Sequence, residues 1–211
     1  MDVPRITALT TRFIPAPAPS SRLAIVLHGL GDSMDGFAFL PQMLGLPWLN
    51  YLLVNAPLPY FTGYAWYDLD DPTPGILAGR ERLRALFAEL DGAGSPTEDR
   101  VLAGFSQGCL MSIDFALRYE RPLAGIVGIS GYAAFLSRLE RETTPQARQQ
   151  AWLITHGTLD ELLPIERTRA QMEQLKAAGI PIEWHEFTKG HTLDAERELP
   201  LIRAWIAARW K

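Results

Sequence analysis

The amino-acid sequence predicts an α/β fold with a mostly parallel β-sheet and helices on both of its faces. Short runs rich in Val, Ile and Leu recur along the chain, and amphipathic helical patterns fall between them. Five of the six runs are apolar at nearly every position, which is typical of strands whose sheet is covered on both sides. Alternation of strands and helices favours parallel strands joined by helical crossovers.

Each run that we assign as a strand is bounded by turn residues. The sixth run alternates between polar and apolar residues, so we expect it nearer an edge of the sheet. In chain order the runs are LAIVLHG (23–29), YLLVNAP (51–57), RVLAGFS (100–106), AGIVGIS (124–130), AWLITHG (151–157) and IPIEWHEF (180–187).

Three of the intervening segments predict helices, because their apolar residues recur at helical spacing. The first helix is expected to end at Gly92, the second to end before Gly179 and Pro181, and the third to start near Pro200. Their apolar faces consist of Ile76, Leu83, Leu86, Phe87 and Leu90 in the first, Met172 and Leu175 in the second, and Leu199, Ile202, Trp205 and Ile206 in the third.

The length of 211 residues and the absence of a Gly/Ser-rich linker or charge run predict a single domain, residues 1–211. A hydrophobic content of 47% is enough for a substantial core. Residues 1–21 include the stretch IPAPAPSS and are predicted to be an extended N-terminal segment that leads into the domain.

Composition also argues against several classes of partner and site. Twenty basic and 24 acidic residues give a net charge of −4 without a Lys/Arg stripe, so a nucleic-acid partner is not expected. The single cysteine, Cys109, excludes an intramolecular disulfide and a cysteine-cluster metal site, and we expect no metal or organic cofactor. The start of the chain lacks a secretory signal pattern, and no apolar run approaches the roughly 20 residues of a spanning helix. We therefore expect a cytoplasmic protein with no transmembrane segment.

The segment GFSQG (104–108) matches the pattern G-x-S-x-G of a nucleophile elbow. It follows the predicted strand RVLA and precedes the helix-like CLMSIDFALRY, which is the context that the motif requires. A sharp turn from strand to helix crowds the backbone of its central residue, so small residues are needed two positions to either side. The pattern predicts an exposed Ser106 hydroxyl and a free Gln107 N–H at the helix N-terminus.

A serine nucleophile needs a base and an orienting acid, and in this fold class they follow it in the order Asp or Glu, then His. Asp160 lies in THGTLDELLP, directly after a predicted strand. His191 lies in FTKGHTLD, after the last predicted strand. We therefore predict Ser106, Asp160 and His191 as the catalytic residues.

Other histidines and acids have simpler interpretations. His28 is expected to shape the glycine-rich loop that follows it, and His156 to serve as a structural hydrogen-bonding group. His185 is expected to be packed or at a sheet edge, and Asp194 to start a helix. A cluster of acids before Ser106 is expected in a solvated loop; its members are Asp68, Asp70 and Asp71.

The loop HGLGDS (28–33) follows the first apolar run and lets the backbone approach a ligand closely. One backbone N–H of this loop, for which we choose Leu30, would pair with that of Gln107 as an oxyanion hole. A plain strand-to-helix turn is the alternative. The loop has neither the lysine of a P-loop nor the third glycine of a dinucleotide site.

Taken together, the motifs resemble the phospholipase/carboxylesterase family of α/β-hydrolases, which includes the acyl-protein thioesterases. The matching pieces are HGLGDS, NAPLPYFTGYAWYD, GFSQG, SGY, HGTLDELLP and GHTLD, in family order from about residue 23 onward. The resemblance implies an α/β-hydrolase fold with the same catalytic residues and oxyanion donors. No gap between the predicted elements is long enough for a separate cap domain, so we expect a single domain without a large cap. The resemblance also makes a homodimer one expected state. Cys109 stands where the family often has a second glycine, so helix packing behind the nucleophile is expected to differ.

The expected function is that of a serine carboxylesterase acting on short-to-medium acyl esters, with thioesters, lysophospholipids and acylated proteins as further substrate classes. A non-catalytic ligand-binding protein on the same scaffold is the alternative. An aromatic segment before the first long helix would either line an acyl groove or belong to the core. Its members are Tyr60, Phe61, Tyr64, Trp66 and Tyr67.

Overall fold

A computed structural model describes residues 5–210 of the chain. Its strands are β1 (Thr11–Ile14), β2 (Leu23–Leu27), β3 (Asn50–Val54), β4 (Leu58–Tyr60), β5 (Gly63–Ala65), β6 (Arg100–Phe105), β7 (Gly125–Ile129), β8 (Trp152–Gly157) and β9 (Ile182–Phe187). Its α-helices are α1 (Leu40–Leu44), α2 (Pro72–Gly92), α3 (Gln107–Arg118), α4 (Leu139–Glu142), α5 (Ile165–Ala177) and α6 (Glu198–Ala207). Within the described residues, no helix combines the length and apolar character needed to cross a bilayer.

In this part of the chain, seven strands form one sheet in the order β1-β3-β2-β6-β7-β8-β9. Neighbouring strands from β3 to β9 run parallel, which confirms the predicted mostly parallel sheet. All six predicted strands are present, and the alternating sixth run is β9 at the sheet edge. The alternation has a simple cause, because an edge strand is covered less completely than a central one.

The N-terminal segment contains a strand that the sequence pattern did not assign. Thr11–Ile14 forms β1 and pairs antiparallel with β3, so that Thr11 lies opposite Val54. The antiparallel hairpin of β4 and β5 was not assigned either. Both cases involve only three or four residues, too few for a polar–apolar period to stand out. Residues 1–4 of the predicted segment, and residue 211, lie outside the described residues.

The sheet separates two apolar layers, because successive side chains of a strand point to opposite faces. In β2, Ile25 and Leu27 pack with the residues of α2, α3 and α5, whereas Ala24 and Val26 pack with those of α1 and α6. The apolar faces predicted for the three helices are buried in these layers. Helices therefore cover both faces, as expected.

Parallel pairing brings the carboxyl ends of β2, β6, β8 and β9 to the same edge of the sheet, where ligands bind in open α/β folds. The loop after β2, the turn after β6 and the loops after β8 and β9 are those that contain the predicted site residues.

Candidate active site

Ser106 lies at a sharp turn between β6 and α3. Its backbone has φ 54° and ψ −115°, a conformation that L-residues avoid because Cβ crowds the neighbouring carbonyl. The Ser106 N–H donates to the carbonyl oxygen of Ile129 in the adjacent β7 at 2.9 Å. The hydrogen bond to β7 thus stabilises the strained turn, which presents the Ser106 hydroxyl at the edge of the sheet.

The two glycines that flank the turn are required by packing. A Cβ atom on Gly104 would overlap the carbonyl of Gly108, and a Cβ atom on Gly108 would overlap the carbonyl oxygen of Leu27. At Gly108 the first turn of α3 therefore passes so close to β6 and β2 that no side chain fits there. This is the physical reason for the spacing of the motif.

Ser106, His191 and Asp160 form one hydrogen-bonded chain. The distance from Ser106 Oγ to His191 Nε2 is 2.8 Å, and that from His191 Nδ1 to Asp160 Oδ2 is 2.7 Å. A carboxylate only accepts hydrogen bonds, so Nδ1 is the protonated nitrogen and Nε2 accepts from the serine hydroxyl. The structure thus brings together three residues that are distant in the sequence.

The Asp160 side chain is fully buried and is oriented by the backbone of its own loop. Its Oδ1 accepts the N–H groups of Leu162 at 3.1 Å and Leu163 at 2.8 Å. These two bonds leave Oδ2 for His191. The imidazole also packs against the ring of Phe105, the residue before Ser106, with 5.0 Å between the two ring centroids.

The two predicted oxyanion donors lie beside Ser106. Gln107 is the first residue of α3, where a helix offers its N–H no acceptor. Leu30 lies in the turn after β2, and its N–H donates to no backbone acceptor among residues 5–210. Leu30 and Gln107 both line a cavity of 380 Å³ that also contains Ser106 and His191. This placement is compatible with an oxyanion hole, which stays a prediction.

The Gln107 side chain has a role that the sequence did not indicate. Its Nε2 donates to the carbonyl oxygen of Tyr67 at 2.9 Å, and its Oε1 accepts the N–H of Trp66 at 2.8 Å. The turn after β6 is thereby joined to the segment that precedes α2.

His28 shapes the glycine-rich loop. Its Nε2 accepts the N–H of Ala56 at 3.0 Å, and its Nδ1 lies 2.6 Å from the carbonyl oxygen of Gly29. Burial lowers the pKa of His28, which favours the neutral ring that these two bonds require.

The other alternative residues have the structural contacts that were expected of them. His156 Nε2 lies 2.8 Å from the carbonyl oxygen of Leu163, and burial lowers the pKa of this histidine. His185 on the edge strand contacts Glu183. Asp194 accepts backbone N–H groups just before α6, as a helix-starting residue does. The acidic cluster is exposed; it comprises Asp68, Asp70 and Asp71.

The aromatic segment divides between core and surface. Trp66 and Tyr67 are buried, and the Tyr67 hydroxyl lies 3.1 Å from that of Tyr132 on the cavity wall. Phe61, at the tip of the hairpin, is 93% exposed. Two leucines that line the cavity, Leu69 and Leu162, are exposed to solvent and extend its apolar wall to the surface.

Comparison with known proteins gives a consistent result. Residues 10–208 match the family model described as Phospholipase/Carboxylesterase. Acyl-protein thioesterase 1 of Schizosaccharomyces pombe is 30% identical over 85% of this chain and 87% of its own length. Acyl-protein thioesterase 1 of Yarrowia lipolytica is 29% identical over 82% of this chain and 86% of its own. The crystal structure of esterase PE8 superposes with a TM-score of 0.83 at 29% identity, covering 95% of this chain and 98% of that one.

The family match extends over nearly all of the described chain, and the relatives and the solved structure agree with it in sequence and in fold. The resemblance inferred from the motifs is therefore confirmed. This chain belongs to the phospholipase/carboxylesterase family and is a serine hydrolase of the α/β-hydrolase type.

Proposed function

We propose that this hydrolase cleaves short-to-medium acyl esters and thioesters through an acyl intermediate on Ser106. The observation that carries the proposal is the hydrogen-bonded chain from Ser106 Oγ through His191 to Asp160 on the wall of an apolar cavity. A serine hydroxyl beside an imidazole that a buried carboxylate orients is the arrangement that nucleophilic acyl transfer needs.

In the first step, Ser106 Oγ attacks the acyl carbonyl carbon while His191 Nε2 takes the hydroxyl proton. Asp160 Oδ2, 2.7 Å from Nδ1, holds the ring and stabilises its charged form. The carbonyl oxygen becomes an oxyanion, which the N–H groups of Leu30 and Gln107 stabilise. The tetrahedral intermediate then collapses, and His191 returns the proton to the departing alcohol or thiol.

In the second step, water attacks the acyl–Ser106 carbonyl as His191 Nε2 takes a proton from it. Collapse of the second tetrahedral intermediate breaks the bond to Ser106 Oγ, which is protonated by His191. The acid product leaves and the serine is restored. Each step uses only side chains and backbone groups that line or support the cavity.

The shape and lining of the cavity favour an acyl substrate with a bulky leaving group. Its walls are mainly apolar, and two of its lining residues, Leu69 and Leu162, are exposed to solvent. An apolar chain is bound by such a wall, whereas the leaving group can extend into solvent. Lysophospholipids and acylated proteins contain ester or thioester bonds of this kind. The similarity to two acyl-protein thioesterases supports thioesters as substrates.

The proposal is tested by hydrolysis of p-nitrophenyl acetate, butyrate, octanoate and palmitate, with acetyl and octanoyl thioesters in parallel. Wild type is compared with Ser106→Ala and with His191→Ala. We expect turnover by wild type, with a maximum among the shorter chains, and a loss of at least about 10⁴-fold in both variants.

A second measurement separates a narrow specificity from the absence of catalysis. If wild type is inert on every ester and thioester, labelling by a fluorophosphonate shows whether Ser106 is reactive. Inert substrates without labelling would overturn the proposal in favour of a ligand-binding protein. Turnover by Ser106→Ala would mean that another residue is the nucleophile.

A further inference from the structure

Lys189 is buried two residues before His191. Only 4% of its side chain is exposed. A lysine is rarely buried unless its charge is paired. The residue follows β9 in the loop that carries His191. Neither the motif nor the proposed mechanism assigns it a part.

The Lys189 ammonium makes three contacts, one for each of its N–H groups. Its Nζ lies 2.7 Å from Glu198 Oε2, 2.6 Å from the carbonyl oxygen of Thr192 and 3.1 Å from Ser130 Oγ. These acceptors belong to α6, to the residue directly after His191 and to the residue after β7. A single side chain thus joins the loop of His191 to two other elements.

Glu198 contacts the same loop at two points, Lys189 and Asp194. Its side chain is fully buried, and Oε2 also accepts the N–H of Asp194 at 3.0 Å. The ion pair between Lys189 and Glu198 therefore closes a loop of the chain, and His191 lies within that loop. Burial lowers the pKa of Lys189, and the adjacent Glu198 opposes that shift.

The backbone of Lys189 contacts the loop of the second predicted catalytic residue. Its carbonyl oxygen accepts the N–H of Leu159, next to Asp160, at 3.0 Å. The two loops also touch at Gly157, where a Cβ atom would overlap the Lys189 carbonyl oxygen. Lys189 therefore adds a second connection between the loops of Asp160 and His191, besides the hydrogen bond between those two residues.

The third acceptor, Ser130, has a strained backbone with φ 48°. Its N–H donates to the carbonyl oxygen of Thr155 in β8 at 2.9 Å. A non-glycine residue in this region is retained where its surroundings fix it. The hydrogen bond from Lys189 fixes the Ser130 side chain at the sheet edge that also carries the nucleophile turn.

We propose that Lys189 is a positioning residue, whose buried ion pair with Glu198 holds the His191 loop so that Nε2 points at Ser106 Oγ. The inference rests on the proposed function, since it assigns His191 as the base. Lys189 contacts no reacting atom in this role. Its effect is on the rate of the chemical step, because a displacement of about 1 Å in a catalytic group costs about 100-fold.

The test separates positioning from folding by comparing one single and one double variant. Lys189→Met leaves the buried Glu198 carboxylate without a cationic partner, so both Tm and kcat are expected to fall. Lys189→Met with Glu198→Leu removes both charges and keeps the side-chain volume, which often restores stability. In that double variant we expect a Tm above that of Lys189→Met, a kcat still at least about 10-fold below wild type, and a KM within about two-fold of wild type.

Arg100→Met is the matched control, because it removes a buried cation that contacts Asp91 at 2.7 Å at the amino end of β6. It is expected to lower Tm and leave kcat per folded enzyme unchanged. Glu198→Gln removes the charge and keeps the shape of the side chain, so it serves if the other variants fold poorly. For Glu198→Gln we also expect a lower kcat at an unchanged KM. Active enzyme is counted by fluorophosphonate labelling taken to completion.

Recovery of the wild-type kcat together with Tm in the double variant would overturn the inference, and so would an unchanged kcat in Glu198→Gln. Wild type and Ser106→Ala are measured alongside on p-nitrophenyl butyrate. Absence of wild-type turnover would count against the proposed function itself, whereas an active wild type with Lys189 variants that keep its full kcat would count against the positioning role.

Discussion

Gln107 holds the main chain of Tyr67 through its side-chain amide, with Nε2 2.9 Å from the Tyr67 carbonyl oxygen. The same amide accepts the Trp66 N–H. The Gln107 backbone N–H is a predicted oxyanion donor, and Tyr67 is part of the cavity wall. One residue therefore couples the position of the predicted oxyanion donor to the wall of the cavity.

We predict that Gln107→Met lowers both stability and kcat while it keeps the backbone N–H. The variant leaves the buried Trp66 N–H and Tyr67 carbonyl without partners, and each unsatisfied group costs about 1–3 kcal/mol. We expect kcat to fall about 10-fold as the turn relaxes, less than for loss of an oxyanion donor itself. Urea unfolding and hydrolysis of p-nitrophenyl butyrate measure the two effects.

Gln150→Met is the control for this prediction. Gln150 is also buried and bridges two backbone groups, those of Leu123 and Ala116, away from the cavity. It is expected to lower stability without changing kcat. Equal loss of kcat in both variants would mean that the Gln107 effect is one of general stability.

The second prediction concerns the glycines around the nucleophile. Gly104→Ala places a methyl group against the Gly108 carbonyl, where only backbone could move aside. Overpacking of this kind costs about 1–3 kcal/mol or more, and it displaces α3 and its first N–H. We expect a lower free energy of unfolding and a kcat reduced at least about 10-fold.

Gly92→Ala is the matched control, since a Cβ atom there meets nothing within 4 Å. It lies at the end of α2 and is expected to leave stability unchanged or raise it by up to about 1 kcal/mol. Chemical unfolding of both variants decides the point. A neutral Gly104→Ala would contradict the steric account of the motif.

Much of the fold and of the candidate site could be predicted because local patterns carry them. A strand such as β7 is apolar at consecutive positions, and the nucleophile turn has its glycines within two residues. The strand β1 could not be predicted in this way, since its four residues become a strand only by pairing with β3. Leu30 was a weak choice from the loop alone, because a glycine-rich loop does not reveal which N–H faces the site; the family resemblance supplied it.

The supporting contacts of the site escaped prediction for a different reason. Gln107 and Tyr67 are 40 residues apart, and Lys189 and Ser130 are 59 apart. Polar residues that meet only after folding follow no periodic pattern, and a buried lysine looks like an exposed one in the sequence. The contact of Gln107 forms where α3 packs against the segment before α2, and that of Lys189 forms where β7, β9 and α6 meet.

The third prediction is a loss of stability as the pH falls below about 6.5. Burial lowers the pKa of His28 and His156 below the ordinary value of 6.5. Below that value the unfolded chain binds protons that the folded protein does not, so the free energy of unfolding falls by up to about 1.4 kcal/mol per pH unit for each histidine. Carboxylates with a lowered pKa, such as Glu120 and Glu186, lose their contribution only below about pH 4.5.

This prediction is measured by urea unfolding at several pH values in wild type and in His156→Gln. The variant should have a slope smaller by up to about 1.4 kcal/mol per pH unit, because one of the two groups no longer titrates. An identical slope in the two proteins would mean that His156 binds its proton equally in both states.

The fourth prediction is that Cys109 is inert in the folded protein. The thiol is buried against Gly128 and Gly131, where a Cβ atom would overlap it, and burial raises its pKa to about 12. Only the thiolate reacts with alkylating reagents, so iodoacetamide at pH 8 should neither label nor inactivate the enzyme. Labelling should become complete in urea. Rapid inactivation of the folded protein would show that α3 opens far more readily than its packing indicates.

The fifth prediction is that Asp160→Asn abolishes most activity while the fold is retained. Asp160 Oδ1 accepts two backbone N–H groups, those of Leu162 and Leu163. These donors select the carbonyl oxygen of an asparagine, so its NH₂ group would face His191 Nδ1. That nitrogen would then have to accept, and the ring proton would move to Nε2, which could no longer take the proton of Ser106.

We expect kcat on p-nitrophenyl butyrate to fall about 10⁴-fold with little change in KM, because the wrong tautomer affects the chemical step and not binding. Asp194→Asn is the control, since that carboxylate accepts backbone N–H groups before α6 and its loss should leave kcat within a few-fold of wild type. Circular dichroism and Tm establish that both variants are folded. If Asp160→Asn kept more than about a tenth of the wild-type kcat, the ring would be oriented by Phe105 and the Lys189 loop alone, and the carboxylate would be a loop residue with no part in the reaction.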